Sequence, residues 1–178
     1  MKSIYLISIL SLALGGYVLN SNNIKSDRCP TIPPINDFKV DEYLGSWFEI
    51  LHSKDFIWDY DCECIQANYT LINNRLLVDN SCNRFGKEVN AIGNGNNLGG
   101  GKFSINFGFI SAPYEVAYID EDYEFSIVVS CIDLPLFKPY VWLLSRHNKL
   151  YNQNLNFYLE KINNLGFQTD DLIINKSC

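Results

Sequence analysis

The sequence predicts an all-β domain: an eight-stranded up-and-down antiparallel barrel with one C-terminal α-helix packed on the outside. Three observations carry this. Short β-rich runs are separated by Gly, Asn and Asp clusters, one late segment has a helical period, and six cysteines follow an apolar N-terminal stretch. Evenly spaced short strands suit a barrel or sandwich, and a closed sheet leaves its outer wall as the surface a helix can cover.

The 178 residues suit one domain with a core of useful size. The formal net charge is -6 and the Lys and Arg are scattered, so no basic stripe exists to neutralise a phosphate backbone and nucleic acid is excluded as a partner. Met1, Lys2, the apolar run 4–14 and Gly15-Gly16 read as a signal peptide over 1–20, cleaved between 13 and 21. The run is short for a membrane span of about 20 residues, so no stable membrane span is expected and the product is secreted.

Cys29, Cys62, Cys64, Cys82, Cys131 and Cys178 all follow that segment, and an even count behind a signal peptide reads as a disulfide framework. Counting alone does not give the pairing. Cys62 and Cys64 are too close for a common structural zinc spacing and only His52 and His147 could assist, so neither a metal nor another cofactor is expected.

Residues 21–37 hold Pro30, Pro33 and Pro34 and form an extended lead-in, with the barrel over 38–178. The first strand is 47–51, after Gly45. The second, 64–71, alternates Ile65, Ala67, Tyr69 and Leu71 against Gln66, Asn68 and Thr70, the mark of a half-buried strand. Asn73-Asn74 suits a two-residue hairpin turn because Asn tolerates positive φ, and it leads into 75–84. Folding there sets Tyr69 near Val78 on the inner face and returns Cys82 beside Cys62 and Cys64, where a local bridge is plausible.

A strand at 89–95 precedes a Gly/Asn-rich stretch, 94–101, whose composition favours a mobile loop. Phe103, Ile105 and Phe107 then alternate with Ser104, Asn106 and Gly108 to give an aromatic inner face. Runs 116–119, 125–131 and 140–145 complete eight strands. Leu155, Tyr158, Leu159, Ile162 and Leu165 fall at helical spacing before Gly166, placing a helix at about 152–165.

At this point the residues resemble a known family. Tyr43-Leu44-Gly45-Ser46-Trp47-Phe48-Glu49-Ile50 resembles the Gly-x-Trp signature that opens the first strand of lipocalins, in the branch of apolipoprotein D, Lazarillo and the bacterial lipocalins. Cys64-Ile65-Gln66-Ala67-Asn68-Tyr69-Thr70 is similar to that branch's second strand. Asp120-Glu121-Asp122-Tyr123 before Ser126-Ile127-Val128-Val129 is similar to its turn between strands six and seven. Trp142-Leu143-Leu144-Ser145-Arg146 is similar to its final strand, and the likeness runs from about Cys29 to Cys178.

The resemblance implies that Gly45, Trp47 and Arg146 plug the narrow end of a lipocalin barrel, and a guanidinium stacked on an indole adds about 0.5–2 kcal/mol there. It implies a small hydrophobic ligand such as a fatty acid, sterol, retinoid or tetrapyrrole. The alternation supplies wall residues Tyr69, Val78, Asn80, Arg84, Phe103, Phe107 and Trp142, with apolar groups for affinity and a few polar ones for orientation. Core filling is the competing role of each aromatic. An inward Arg84 near the mouth needs a partner and could meet a ligand carboxylate.

The same resemblance implies Cys29 with Cys131 and Cys64 with Cys178, leaving Cys62 with Cys82, while the hairpin geometry also permits Cys64 with Cys82. Asn68 and Asn175 head glycosylation motifs, and Asn68 alternates outward, opposite Tyr69. A secreted module for protein or membrane-surface partners, or an inhibitor, is the rival function. A lipid-modifying enzyme ranks lower: no free thiol is left over, and neither His has a nucleophile or carboxylate pattern in sequence, so no catalytic residue is assigned.

Overall fold

The computed structural model describes residues 29–73, 75–134, 137–148, 152–175 and 178. The signal peptide expected over 1–20 lies outside them, as does Asn74 of the hairpin turn.

Eight antiparallel strands follow in chain order: β1 Gly45–Ser53, β2 Cys62–Ile72, β3 Arg75–Arg84, β4 Lys87–Gly99, β5 Lys102–Phe107, β6 Ile110–Ile119, β7 Phe125–Ser130 and β8 Tyr140–Ser145. Each pairs with the next, and β1 pairs with both β8 and β2, which closes the barrel. Tyr69 stands opposite Val78, and Ile72 opposite Arg75, so the β2–β3 turn has two residues; its first, Asn73, has φ +51°.

Two stretches depart from the sequence reading. Residues 94–101 are not a mobile loop: β4 runs on to Gly99, and the turn is confined to Gly100 and Gly101. Gly93 and Gly95 face inward, where an added Cβ would lie 2.7 Å from the Phe107 ring and 2.6 Å from Ile105 Cδ1. These glycines make room for large neighbours in the barrel interior. Similarly, β6 begins at Ile110 rather than 116. Pro113 obscured its first half, yet Pro113 pairs only with Ser104 of β5, and pairing with β7 starts at Glu115. Proline is tolerated there because that stretch is an edge.

Helix α2, Asn152–Asn164, lies on the outer wall of β1, β7 and β8, where Tyr158 and Ile162 pack with Ile50, Leu51, Ile127, Val129, Val141 and Leu143. Full burial of a side chain such as Ile162 contributes about 1.5–3 kcal/mol. Gly166, at φ +94°, ends the helix, with the Phe167 N–H returning to the Ile162 carbonyl. A short strand unforeseen in the sequence, β9 Leu172–Ile174, then covers the stretch Leu51–Ser53 of β1 that β2 leaves unpaired.

A one-turn helix, α1 Val40–Tyr43, precedes β1. The lead-in crosses the same end of the barrel, where the Ile35 N–H donates to the Gly100 carbonyl at 2.9 Å. Disulfides join Cys29 to Cys131, Cys62 to Cys82 and Cys64 to Cys178. The first ties the lead-in and the last ties the segment after β9 to the barrel.

Candidate functional site

The meander puts the turns β2–β3, β4–β5 and β6–β7 at one end with α1, and the loops β1–β2, β3–β4, β5–β6 and β7–β8 at the other. The first end is closed. Trp47 is fully buried there, and its indole N–H donates to the Tyr43 carbonyl at 2.9 Å. The Arg146 guanidinium carbon lies 3.8 Å from the Trp47 ring centroid. Arg146 also donates to the carbonyls of Ser46, Glu42 and Leu44 at 2.8 Å and of Tyr123 at 3.2 Å. A planar fork of donors allows one side chain to hold all four. Gly45 alongside has φ +91°, a conformation that favours glycine whatever the space.

Above this plug the Tyr114 hydroxyl meets Tyr43 at 2.6 Å and Tyr69 at 2.8 Å. Burial pushes Tyr43 up to about 12, and Tyr69 and Tyr114 well above the usual phenol range. The floor of the barrel is therefore neutral, with its hydroxyls paired to one another. Tyr69, Val78 and Phe103 belong to this tightly buried layer.

The remaining wall residues stand higher. Asn80 and Arg84 on β3, Phe107 on β5 and Trp142 on β8 are half-buried. Phe56, from the β1–β2 loop, sets its ring 4.9 Å from that of Trp142 and 5.1 Å from that of Tyr140. The Arg84 Nη2 donates to the Trp58 carbonyl at 2.7 Å, while its Nε is buried without a partner. Asn80 Oδ1 and Asp59 Oδ2 are buried and unpartnered as well.

Sequence reasoning missed Glu49 and Asp59, and weighed His52 only as a helper to a cysteine zinc site before setting it aside. Residues three apart on a regular strand face opposite ways, but β1 shifts register between Glu49 and Leu51. That bulge leaves Glu49 opposite Leu144 and His52 opposite Trp142, both on the inner face. The Glu49 Oε1 lies 2.8 Å from His52 Nδ1, in a contact too bent to count as a straight hydrogen bond. Asp59 enters from the 3-10 turn Ile57–Asp59, and its carboxylate lies near the Trp142 indole. Burial, reinforced by the charge of Glu49, pushes Asp59 up to about 7. Burial opposes a charge on His52, but the neighbouring carboxylates outweigh it and the imidazole is raised. Only the bulge could have revealed this group, and hydropathy does not show a bulge.

Of the two glycosylation motifs, Asn68 is exposed on the outer wall. Asn175 is different: its Nδ2 donates to the Glu49 carbonyl at 3.1 Å and to Glu49 Oε1 at 2.8 Å. A glycan on that nitrogen would disrupt this pairing, which argues against Asn175 as an acceptor.

The open end carries apolar side chains. Trp58, Phe85, Phe109, Leu134 and Phe137, spread over its four loops, are all exposed. Their clustering at one end sets them apart from singly scattered surface apolar residues.

A model of the lipocalin-like domain matches residues 38–177. A lipocalin of Acanthamoeba polyphaga mimivirus is 28% identical over 76% of this chain and 83% of its own length. Apolipoprotein D of Cavia porcellus is 30% identical over 85% of this chain and 84% of its own. Among solved structures, insecticyanin from the tobacco hornworm Manduca sexta superposes with a TM-score of 0.72 at 20% identity, covering 84% of this chain and 86% of that one. At that identity the structural likeness shows the fold.

Proposed function

The chain belongs to the lipocalin-like domain family, and from that premise we propose that it is a secreted carrier holding one small hydrophobic molecule in the upper half of its barrel. The observation that carries this reading is the pair of buried, unpartnered polar atoms, Asn80 Oδ1 and Arg84 Nε, in a barrel whose wall also carries the half-buried rings of Phe107 and Trp142. Buried polar groups are ordinarily paired, so two that are not, set among aromatic walls, favour a ligand with an apolar body and a polar head. A carboxylate head facing Arg84 fits a fatty acid, a retinoid acid or a tetrapyrrole better than a sterol.

Tryptophan fluorescence titration of the secreted protein with a long-chain fatty acid and with retinol tests this. Quenching that saturates at one ligand per chain is expected. Arg84→Met should weaken the fatty acid about tenfold or more and leave retinol nearly unchanged. Absence of saturable quenching by either ligand would overturn the carrier reading.

The apolar rim favours a second, compatible reading in which the open end docks on a lipid surface or an apolar protein surface while ligand is exchanged. Trp58→Ser with Phe109→Ser should then reduce flotation with neutral lipid vesicles without changing ligand affinity.

A further inference from the structure

Glu49, His52 and Asp59 gather one imidazole nitrogen and two carboxylates inside the barrel, with their ligand atoms all within 4.8 Å of one another. Two come from β1 through its bulge and the third from the turn that crosses the mouth. His52 is only 4% exposed, and its Nδ1 has no hydrogen-bond partner although it points at Glu49. The Asp59 Oδ2 is likewise buried and unpartnered.

We propose that Glu49, His52 and Asp59 form a binding site for a divalent transition-metal ion, of the zinc class, inside the barrel. The charges support a dication. Two carboxylates, a neutral imidazole and a dication together carry no net charge, so the ion would need no further counter-charge in this buried space. The donors support the class: one nitrogen and two oxygens suit zinc and its borderline neighbours, and three protein ligands leave a further position open. A tetrahedral ion with bonds of about 2.0–2.2 Å keeps its donors roughly 3.4 Å apart, within reach of small side-chain shifts here. Part of a supporting shell exists too, since Asn175 holds the Glu49 Oε1 and the Trp142 indole lies near Asp59. Sequence spacing had pointed away from metal because it weighed a cysteine site with His52 and His147 as helpers, and all six cysteines are tied in disulfides.

The test is equilibrium dialysis of the chelator-treated secreted protein against zinc chloride, with metal analysis and tryptophan fluorescence read on the same samples. One zinc per chain is expected, with a fluorescence change from Trp142. Asp59→Asn and His52→Gln should each weaken binding at least about tenfold and remove the fluorescence change. His147→Asn, on the exposed His147–Glu124 pair, should bind as the unmodified protein does. Asp59 lies on the mouth turn rather than in a strand, so Asp59→Asn keeps the test sound should His52→Gln fail to fold. Absence of retained zinc, or undiminished affinity in Asp59→Asn, would overturn the proposal. A protein that binds a fatty acid but no zinc would sink this inference and leave the carrier reading standing.

Discussion

Arg146 covers the ring of Trp47 at 3.8 Å and, in the same pose, satisfies four backbone carbonyls from three segments: 42–44, Ser46 and Tyr123. One residue thus ties α1, β1 and the β6–β7 turn to the end of β8. Arg146→Ala removes the stacking and the charge-assisted donors together, so the loss should be on the order of 2–4 kcal/mol. Arg146→Lys should recover only a minor part, because an ammonium cannot span that set of acceptors. Urea unfolding followed by circular dichroism checks both, and a Lys variant as stable as the original would contradict the role assigned to the fork.

Gly93 and Gly99 separate two reasons for glycine in one strand. A Cβ at Gly93 would lie 2.7 Å from Phe107 Cε1 and 2.9 Å from Ile105 Cγ2, whereas Gly99 has open space but φ +87°. Gly93→Ala should therefore cost about 1–3 kcal/mol by overpacking, and Phe107→Leu in the same chain should relieve part of it. Gly99→Ala should cost about 1 kcal/mol, which no neighbouring substitution relieves. Thermal unfolding of the three variants reads the difference.

The tyrosine floor sets a limit on alkaline stability. Tyr43, Tyr69 and Tyr114 are held above their ordinary value of 10.0 by burial. Above pH 10 the unfolded chain releases protons that the folded chain keeps, so the folded state binds more protons and its stability falls as pH rises. Tyrosinate absorbance against pH should show these three phenols ionising only as the circular dichroism signal is lost. Full ionisation of all tyrosines with the fold intact would contradict the buried network.

What could be read from the sequence was whatever repeats at a fixed period. Alternation placed Tyr69, Val78, Phe103 and Phe107 on the inner face, and the helical spacing of Tyr158 and Ile162 placed α2, because one burial preference acts on every second or every third to fourth residue. Features that break the period escaped. The β1 bulge turns Glu49 and His52 to the same side, Pro113 hid the first half of β6, and the Gly/Asn-rich stretch from 94, Gly95 included, read as a loop until its neighbours were known. β9 is three residues long, too short for a pattern, and is defined by the edge of β1 that it covers. The candidate site was therefore half legible, its aromatic wall visible and its polar group hidden.

The two glycosylation motifs should behave differently when the chain passes through a eukaryotic secretory pathway. Asn68 projects from the outer wall, while the Asn175 amide is committed to Glu49. Asn68→Gln should abolish the mass removed by glycosidase, and Asn175→Gln should leave it in place.

The central claim, that the upper barrel holds a small apolar molecule, is tested most directly by native mass spectrometry of the purified protein, followed by organic extraction of whatever it carries. The account expects a complex heavier than the chain by one small molecule, recovered in the organic phase and reduced in Trp142→Ala, which removes the aromatic wall above the floor. A chain that travels at its bare mass, and still takes up no fatty acid or retinoid when these are supplied in excess, would contradict it.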